Sequence, residues 1–155
     1  MPAVEPARVY KRPESVLVVV HTIGGDVLLL HRVKPSSFWQ SVTGSLRWEE
    51  TDPATAAQRE VREETGIHDM GVWHDWQHTM QFDIPSAWRS RYAPGVTCNL
   101  EHMFSLALPE ICRVTIDSGE HSSYEWVDFD TALKRAWSWT NREALEFVRK
   151  QLAEP

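Results

Sequence analysis

Three glutamates on one face of a predicted helix constrain this chain more than any other feature. Asp52-Pro53 is typical of a helix start, with an N-cap aspartate and a proline at the first helical position. Gly66 is typical of a helix end. Glu60, Glu63 and Glu64 lie between them at positions i, i+3 and i+4, a spacing that brings three carboxylates to one side of the helix.

The grouped carboxylates predict a site for a divalent cation. Like charges at this spacing destabilise an isolated helix by about a few tenths of a kcal/mol per pair, and a bound cation would reverse that repulsion. Hard oxygen ligands are those that Mg²⁺ prefers, and it shares its coordination between carboxylates, water and substrate phosphates. Mn²⁺ is the other candidate ion. For an isolated pattern of this kind, a solvated helix face is the competing interpretation.

The residues around the helix form a longer pattern. It runs from Gly44 and Glu50, through Arg59-Glu60-Val61 and Glu63-Glu64, to Gly66-Ile67. This pattern resembles the Nudix box, the loop–helix–loop motif of the Nudix hydrolase family. The resemblance implies an α/β/α sandwich with a mixed β-sheet. It also implies that the three glutamates bind the metal. Arg59 would belong to the catalytic centre as a structural residue, which holds the helix face by pairing with a carboxylate.

One spacing departs from the family pattern. Seven residues usually separate the first glutamate from the arginine, but eight separate Glu50 from Arg59. Aligned backward from the helix, Thr51 takes the position of the glutamate, and the extra residue falls in the loop after Gly44. This alignment leaves the role of Glu50 open and the three helical glutamates unaffected.

Segments outside the box resemble a subfamily, the bacterial dihydroneopterin triphosphate pyrophosphohydrolases of folate synthesis. They are Tyr10-Lys11-Arg12-Pro13, the stretch from Phe38 to Ser45, the stretch from Arg91 to Thr97, and Ser138-Trp139 with Asn141-Arg142. The resemblance implies magnesium-dependent cleavage of dihydroneopterin triphosphate to the monophosphate and pyrophosphate. Nucleoside triphosphates such as dATP are implied as further substrates.

Further candidates for the site come from loops. Glu120 resembles the loop carboxylate of the related enzymes and is predicted to be a metal ligand or the general base, with Glu63 as the alternative base. His121 could reach the site, although a lone loop histidine is more often exposed.

Arg12, Arg91 and Lys34 are candidates to bind the triphosphate, because arginine can bind phosphate through two donors. A flat pterin could stack on an aromatic ring and form hydrogen bonds with an amide. Trp39 with Gln40 and Trp139 with Asn141 are the candidates for this role.

The order of predicted elements is strands, helix, strands, helices, which indicates an α/β or α+β domain spanning residues 1–155. Residues 1–13 are predicted to be an irregular lead-in. Ser15 to Thr22 and Val27 to Arg32 are predicted to form a hairpin, and Gly44 to Thr51 a loop. Later predicted strands are Gly71 to Thr79, Met80 to Ile84, His102 to Leu108, Val114 to Ile116 and Tyr124 to Val127. Asp130 to Trp137 and Asn141 to Leu152 are predicted to be helices.

Composition narrows the class of partner. The formal net charge is −6, whereas a general nucleic-acid binder usually carries a basic face. The apolar run Val16 to Val20 is too short to span a membrane. We therefore expect a cytoplasmic protein with two reduced cysteines, acting on a small pterin or nucleoside triphosphate, with no nucleic-acid or membrane partner. The oligomeric state stays open.

Two other functions fit the same pattern. One is a general nucleoside triphosphate pyrophosphatase, against which only the segments outside the box argue. The other is a non-catalytic Nudix-fold regulator that binds a ligand without cutting it. Such a regulator would typically lack part of the carboxylate set, whereas Glu60, Glu63 and Glu64 are all present here.

Overall fold

A mixed β-sheet with helices on both faces forms the core of the protein. The computed structural model describes residues 9–33 and 37–153. The strands are β1 (Glu14–Thr22), β2 (Asp26–Arg32), β3 (Phe38–Gln40), β4 (Val42–Ser45), β5 (Val72–Asp83), β6 (Cys98–Leu108) and β7 (His121–Asp128). The helices are α1 (Pro53–Thr65), α2 (Phe129–Arg135), α3 (Trp139–Ala153) and a short 3-10 helix (Ser86–Arg91).

The sheet is built around β1, which has neighbours of both directions. Its order is β3-β2-β1-β6-β5, with β4 also paired to β1 and β7 to β2. The β1–β6 pairing is parallel, and the other pairings are antiparallel. A strand buried on both faces reads as a continuous apolar run, which explains the sequence Val16 to Val20.

Alternate residues of β1 pack into two separate hydrophobic cores. Val16, Val18 and Val20 pack with Ala56, Ala57 and Val61 of α1. Leu17 and Val19 face the other side and pack with α2 and α3, through residues that include Phe129, Ala132, Ala144, Leu145 and Val148. Because successive side chains of a strand point to opposite faces, one strand anchors both layers. The predicted α/β/α sandwich with a mixed sheet is confirmed.

Helix α1 has the ends that the sequence predicts. The Asp52 side chain accepts a hydrogen bond from the Ala54 amide at 3.0 Å, and Pro53 occupies the first turn. Gly66 adopts a left-handed conformation, with φ of 76°, and its amide bonds to the Arg62 carbonyl. These caps fix where the helix starts and stops, and so which residues face the sheet.

Several predicted boundaries are wrong. Gly44 and Ser45 belong to β4 rather than to a loop, because they pair with β1. The two strands predicted over Gly71 to Ile84 form the single strand β5. A bulge between Asp75 and His78, with Gln77 at φ of 51°, interrupts its alternation but preserves its pairing with β6.

Other differences concern the C-terminal half of the chain. Val114 to Ile116 is not a strand: the Thr115 amide donates to the Thr65 carbonyl, at the end of α1, and Val114 packs in the core. Strand β6 begins four residues before the predicted start at His102, and α2 ends two residues before Trp137. Cys98 and Cys112 are free thiols, as expected. None of the helices in the described part of the chain is long and apolar enough to cross a membrane.

We expect Asp52→Ala to lower the free energy of unfolding by about 1 kcal/mol, because it removes the N-cap hydrogen bond of α1. Chemical denaturation monitored by circular dichroism measures this change. Asp52→Asn is the matched control, since asparagine is also a good N-cap residue. An alanine variant as stable as the asparagine variant would contradict the role of the cap.

Candidate active site

Arg59 is the centre of the charged network on α1. Its guanidinium binds the Glu50 carboxylate through two hydrogen bonds, with Nη2–Oε1 at 2.8 Å and Nε–Oε2 at 3.0 Å. It also donates to Glu60 at 2.8 Å, to Glu63 at 3.2 Å and to the Ser45 carbonyl at 3.1 Å. The paired guanidinium holds the pKa of Glu50 below its ordinary value. Arg59 therefore ties the loop before α1 to two glutamates of the helix.

This pairing resolves the register of the loop. Glu50 is the residue whose carboxylate binds Arg59. The alignment that counts backward from the helix, and puts Thr51 in the position of this glutamate, is therefore wrong here. The extra residue lies between Glu50 and Arg59, where the chain enters α1. Bidentate geometry, rather than the residue count, selects the partner.

Two of the helical glutamates are buried, and one of them lacks a partner for one oxygen. Glu64 is 2% exposed, and its Oε2 atom has no hydrogen-bond partner among the described residues. Burial, together with repulsion from Glu60 and Glu120, raises the pKa of Glu64 well above its ordinary value. Burial also raises the pKa of Glu60, to about 7, although Arg59 acts in the opposite direction. A divalent cation would offset both the desolvation and the repulsion.

Gly44 makes room for the Glu60 carboxylate. A Cβ atom built on Gly44 would lie 2.1 Å from the carboxyl carbon of Glu60. Any side chain at position 44 would therefore displace that carboxylate. The glycine of the box is explained by this contact between β4 and α1.

Glu120 and His121 complete the acidic cluster. Among the described residues, ligand atoms of Glu64, Glu120 and His121 lie within 4.8 Å of one another. His121 is the first residue of β7 and is 1% exposed, so it is not an ordinary loop histidine. Its Nε2 atom lies 3.1 Å from the amide of Gln40. Two acids from α1 and a neighbouring loop thus meet beside a buried imidazole.

Glu63 faces away from this cluster. Its carboxylate binds Arg59 and Arg47, both at 3.2 Å, and the side chain is 43% exposed. The predicted face of three metal ligands is therefore divided in this arrangement. Glu64 belongs to the cluster, Glu60 lines the cavity beside it while also binding Arg59 at 2.8 Å, and Glu63 stays in the arginine network.

A cavity of about 630 Å³ opens beside the acidic cluster. Six residues predicted for the site line it: Gln40, Glu60, Arg91, Glu120, Trp139 and Asn141. The amide of Asn141 is engaged by Ser41, accepting from its backbone N–H at 2.8 Å and donating to its hydroxyl at 2.9 Å. Asn141 therefore also fixes the start of α3 against the link between β3 and β4.

Arg12 and Trp39 lie outside this lining. Arg12 donates to the carbonyls of Arg47 and Glu50 at 2.9 and 2.8 Å and pairs with Glu14 at 2.8 Å, so it clamps the loop before α1. Trp39 stacks on His31, with ring centroids 4.6 Å apart, and packs against the core beneath α2 and α3. Lys34, the other predicted phosphate contact, lies outside the described residues.

Other cavity residues were missed by the sequence analysis. Lys11 and Arg32 line the cavity together with Arg91. Enclosure of the Lys11 ammonium group, with repulsion from Arg91 and Arg32, lowers the pKa of Lys11. The segment Tyr10 to Pro13 precedes β1, and there the Lys11 amide donates to the Arg91 carbonyl at 2.8 Å. Lys11 rather than Arg12 lines the cavity, which the sequence alone does not show. Trp88 and Trp137 also line it, and no pattern distinguished them among eight tryptophans.

Comparison with known proteins identifies the fold family. The family profile described as NUDIX domain matches residues 11–148. The chain belongs to the Nudix family. This confirms the expectation of a Nudix hydrolase that residues 44–67 raised, and the Arg59–Glu50 pair and the Gly44 contact are the physical basis of the box in this Nudix chain.

Individual Nudix relatives are similar over nearly their whole length. The dihydroneopterin triphosphate diphosphatase of Escherichia coli (strain K12) is 46% identical over 143 residues, covering 90% of this chain and 93% of that protein. The enzyme of the same description from Haemophilus influenzae is 34% identical over 145 residues, covering 88% and 87%. The solved structure of the E. coli dihydroneopterin triphosphate pyrophosphohydrolase matches with a TM-score of 0.83 at 44% identity, covering 90% of this chain and 97% of that one.

In metal-free buffer, we expect the Glu60 carboxylate to lower the stability of the wild type as the pH rises from 4.5 to about 7. The ordinary pKa of Glu60 is 4.5 and its folded value is about 7, so the folded chain keeps a proton that the unfolded chain has lost. The contribution of Glu60 to this loss in free energy of unfolding should be about 3 kcal/mol, seen as the difference between the wild type and Glu60→Gln. Denaturation curves across this range measure it. Glu60→Gln should show a smaller decrease, and equal pH dependence in the two proteins would contradict the burial argument.

Proposed function

We propose that this protein is a divalent-metal-dependent pyrophosphohydrolase that converts dihydroneopterin triphosphate to dihydroneopterin monophosphate and pyrophosphate. The observation that carries the proposal is one cavity that joins an acidic cluster to an aromatic recess. The relatives named above support the choice of substrate. Mg²⁺ is the proposed ion, with Mn²⁺ as the alternative.

The acidic cluster suits a divalent cation. Glu60, Glu64 and Glu120 would hold it, because their crowded carboxylates include a buried oxygen without a partner. A bound divalent ion neutralises phosphate charge and lowers the pKa of coordinated water. His121 is a neighbouring imidazole that would orient Gln40 or a water molecule through its hydrogen bonds.

Positive side chains line the same cavity as the acids. Lys11, Arg32 and Arg91 line the cavity together with Glu60 and Glu120. These three cations would bind the phosphate oxygens of a triphosphate in the cavity. The negative charge on the bridging and terminal phosphate oxygens would then be neutralised while the triphosphate is held in one orientation. This is the main requirement of phosphoanhydride cleavage.

Glu120 is the proposed general base. It lines the cavity, where the attacking water must lie, whereas Glu63 is engaged by Arg47 and Arg59. Proton abstraction requires a base within hydrogen-bond reach of the water. The placement of the two carboxylates therefore favours Glu120 over the alternative base Glu63.

The aromatic recess would receive the pterin ring. Trp88, Tyr92, Trp137 and Trp139 line this part of the cavity. Trp88 and Trp137 are in edge-to-face contact, with centroids 5.5 Å apart, so that their orientations are mutually fixed. Flat rings stack on such surfaces, and the whole cavity of about 630 Å³ has the size of a small-molecule site.

Product analysis with purified protein, Mg²⁺ and a substrate panel tests the function. We expect pyrophosphate to be released from dihydroneopterin triphosphate with a kcat/KM at least about tenfold higher than that for dATP, a difference of about 1.4 kcal/mol. Faster turnover of dATP or dGTP would favour the general nucleotide pyrophosphatase. Binding without product would favour the regulator.

Matched glutamine variants test the roles of the acids. Glu64→Gln should abolish turnover while the circular dichroism spectrum is retained, because it removes a buried charge that only the metal offsets. Glu120→Gln should lower kcat by about 10²- to 10⁴-fold, the range for loss of a general base. Glu63→Gln, the control in the arginine network, should lose much less. The reverse order for Glu120 and Glu63 would assign the base to Glu63.

A further inference from the structure

The floor of the cavity contains a buried polar pair that the proposed reaction does not use. Asn99 and Glu101 are two residues apart on β6, so both point to the same face of the sheet, and both line the cavity. They are 1% and 4% exposed. Buried polar side chains of this kind normally have all their hydrogen-bond partners.

Ser15 orients the pair. Its hydroxyl donates to Glu101 Oε2 at 2.9 Å, so the Asn99 atom facing Ser15 must be a donor. The Asn99 NH₂ group accordingly lies 2.8 Å from the Ser15 hydroxyl oxygen. Thr43 approaches the same Glu101 Oε2 atom at 3.5 Å. The network therefore directs the remaining oxygen of each side chain away from Ser15.

Both remaining oxygens lack a partner. Glu101 Oε1 and Asn99 Oδ1 have no hydrogen bond among the described residues, although the cavity is adjacent. Leaving a buried acceptor unsatisfied costs roughly 1–3 kcal/mol, and more for a charged one. Burial also raises the pKa of Glu101, although hydrogen bonds from Ser15, Thr140 and Thr43 act in the opposite direction. Two neighbouring acceptors without a donor thus belong to residues that line the cavity.

We infer that Asn99 and Glu101 bind the edge of a ring that presents two adjacent N–H donors, the ring nitrogen and the exocyclic amino group of a 2-amino-4-oxopyrimidine. This inference rests on the proposed function, because it assigns the ring end of the same cavity. Pterin and guanine both carry this edge. Adenine carries a ring acceptor beside its amino group, and hypoxanthine lacks the amino group.

The aromatic walls and the polar floor have different roles in this arrangement. Stacking on Trp88, Trp137 or Trp139 accepts any flat ring, because every base has a π-face. Selection must come from the donors and acceptors at the edge of the ring. A site built to hydrogen-bond a particular group rejects analogues that lack it, since its own buried atoms are then left unpaired.

Binding of two analogues that differ in one amino group tests the inference. The probes are the α,β-methylene triphosphates of deoxyguanosine and deoxyinosine, in which the bridging carbon blocks cleavage, and the readout is the tryptophan fluorescence of the recess. In the wild type we expect the guanine analogue to bind about 10- to 100-fold more tightly, the range for a hydrogen bond to a charged acceptor. Equal dissociation constants would overturn the inference without any variant.

Variants then assign the selectivity to the pair. Glu101→Leu should reduce the preference for the guanine analogue to about twofold or less, while affinity for methyl triphosphate, which has no ring, is retained. Met103→Leu is the matched control, a buried neighbour on the same face of β6 that does not line the cavity, and it should keep the full preference. Asn99→Ala should lose the preference in part. Preference retained in Glu101→Leu and Asn99→Ala would overturn the assignment.

The outcomes separate the two proposals. Loss of selectivity in Glu101→Leu, in a protein that does not turn over dihydroneopterin triphosphate, would overturn the proposed reaction and support the ring site. Turnover of dihydroneopterin triphosphate with equal binding of the two analogues would overturn the ring site and leave the reaction intact.

Discussion

The bidentate pair between Arg59 and Glu50 is the contact on which the arrangement of the site depends. It lies where β4, the loop before α1 and α1 itself converge, and the same guanidinium binds Glu60, Glu63 and the Ser45 carbonyl. A planar group with several donors in fixed directions can satisfy these acceptors together, which a lysine could not. The position of the Glu60 carboxylate against Gly44 follows from this contact.

The same centre holds the least favourable interactions of the fold. Glu60 and Glu64 are buried close to Glu120, and burial raises the pKa of both helical acids. The hydrophobic contacts of α1 with the sheet, through Ala56, Ala57 and Val61, hold these acids in place despite their mutual repulsion. One face of α1 therefore stabilises the fold through apolar contacts, and another face carries acids that destabilise it. A bound cation would offset the repulsion between these acids.

Two sets of unsatisfied atoms are associated with the cavity. The Glu64 oxygen without a partner belongs to a cluster that suits a metal ion. Asn99 and Glu101 have acceptors without partners and line the cavity together with aromatic side chains. The Lys11, Arg32 and Arg91 side chains also line the cavity. The three kinds of surface match the three parts of a ring-bearing triphosphate: the ring edge, the anionic chain and its counterion.

The features that the sequence predicts correctly depend on residues close together in the chain. The caps at Asp52 and Gly66, the hairpin of β1 and β2 and the pattern of residues 44–67 were all recognised, because each depends on neighbours within a few positions. Prediction from the sequence was weakest for β5, whose bulge breaks the alternation of side chains, and for Val114 to Ile116, where an apolar stretch packs in the core without pairing as a strand. Those outcomes depend on partners that are distant in the chain.

The sequence by itself determined the family, the sandwich of helices around a mixed sheet, and the presence of several acids on one helix. Only the tertiary structure decided which of those acids reach the cavity, that Glu50 rather than Thr51 holds Arg59, and that Lys11 lines the cavity while Arg12 clamps a loop. It also brought Asn99 and Glu101 together with Ser15, more than 80 positions away. The physical reason is that helix periodicity is written in consecutive residues, whereas burial and hydrogen-bond partnership are set by the register of strands that meet only in the folded sheet.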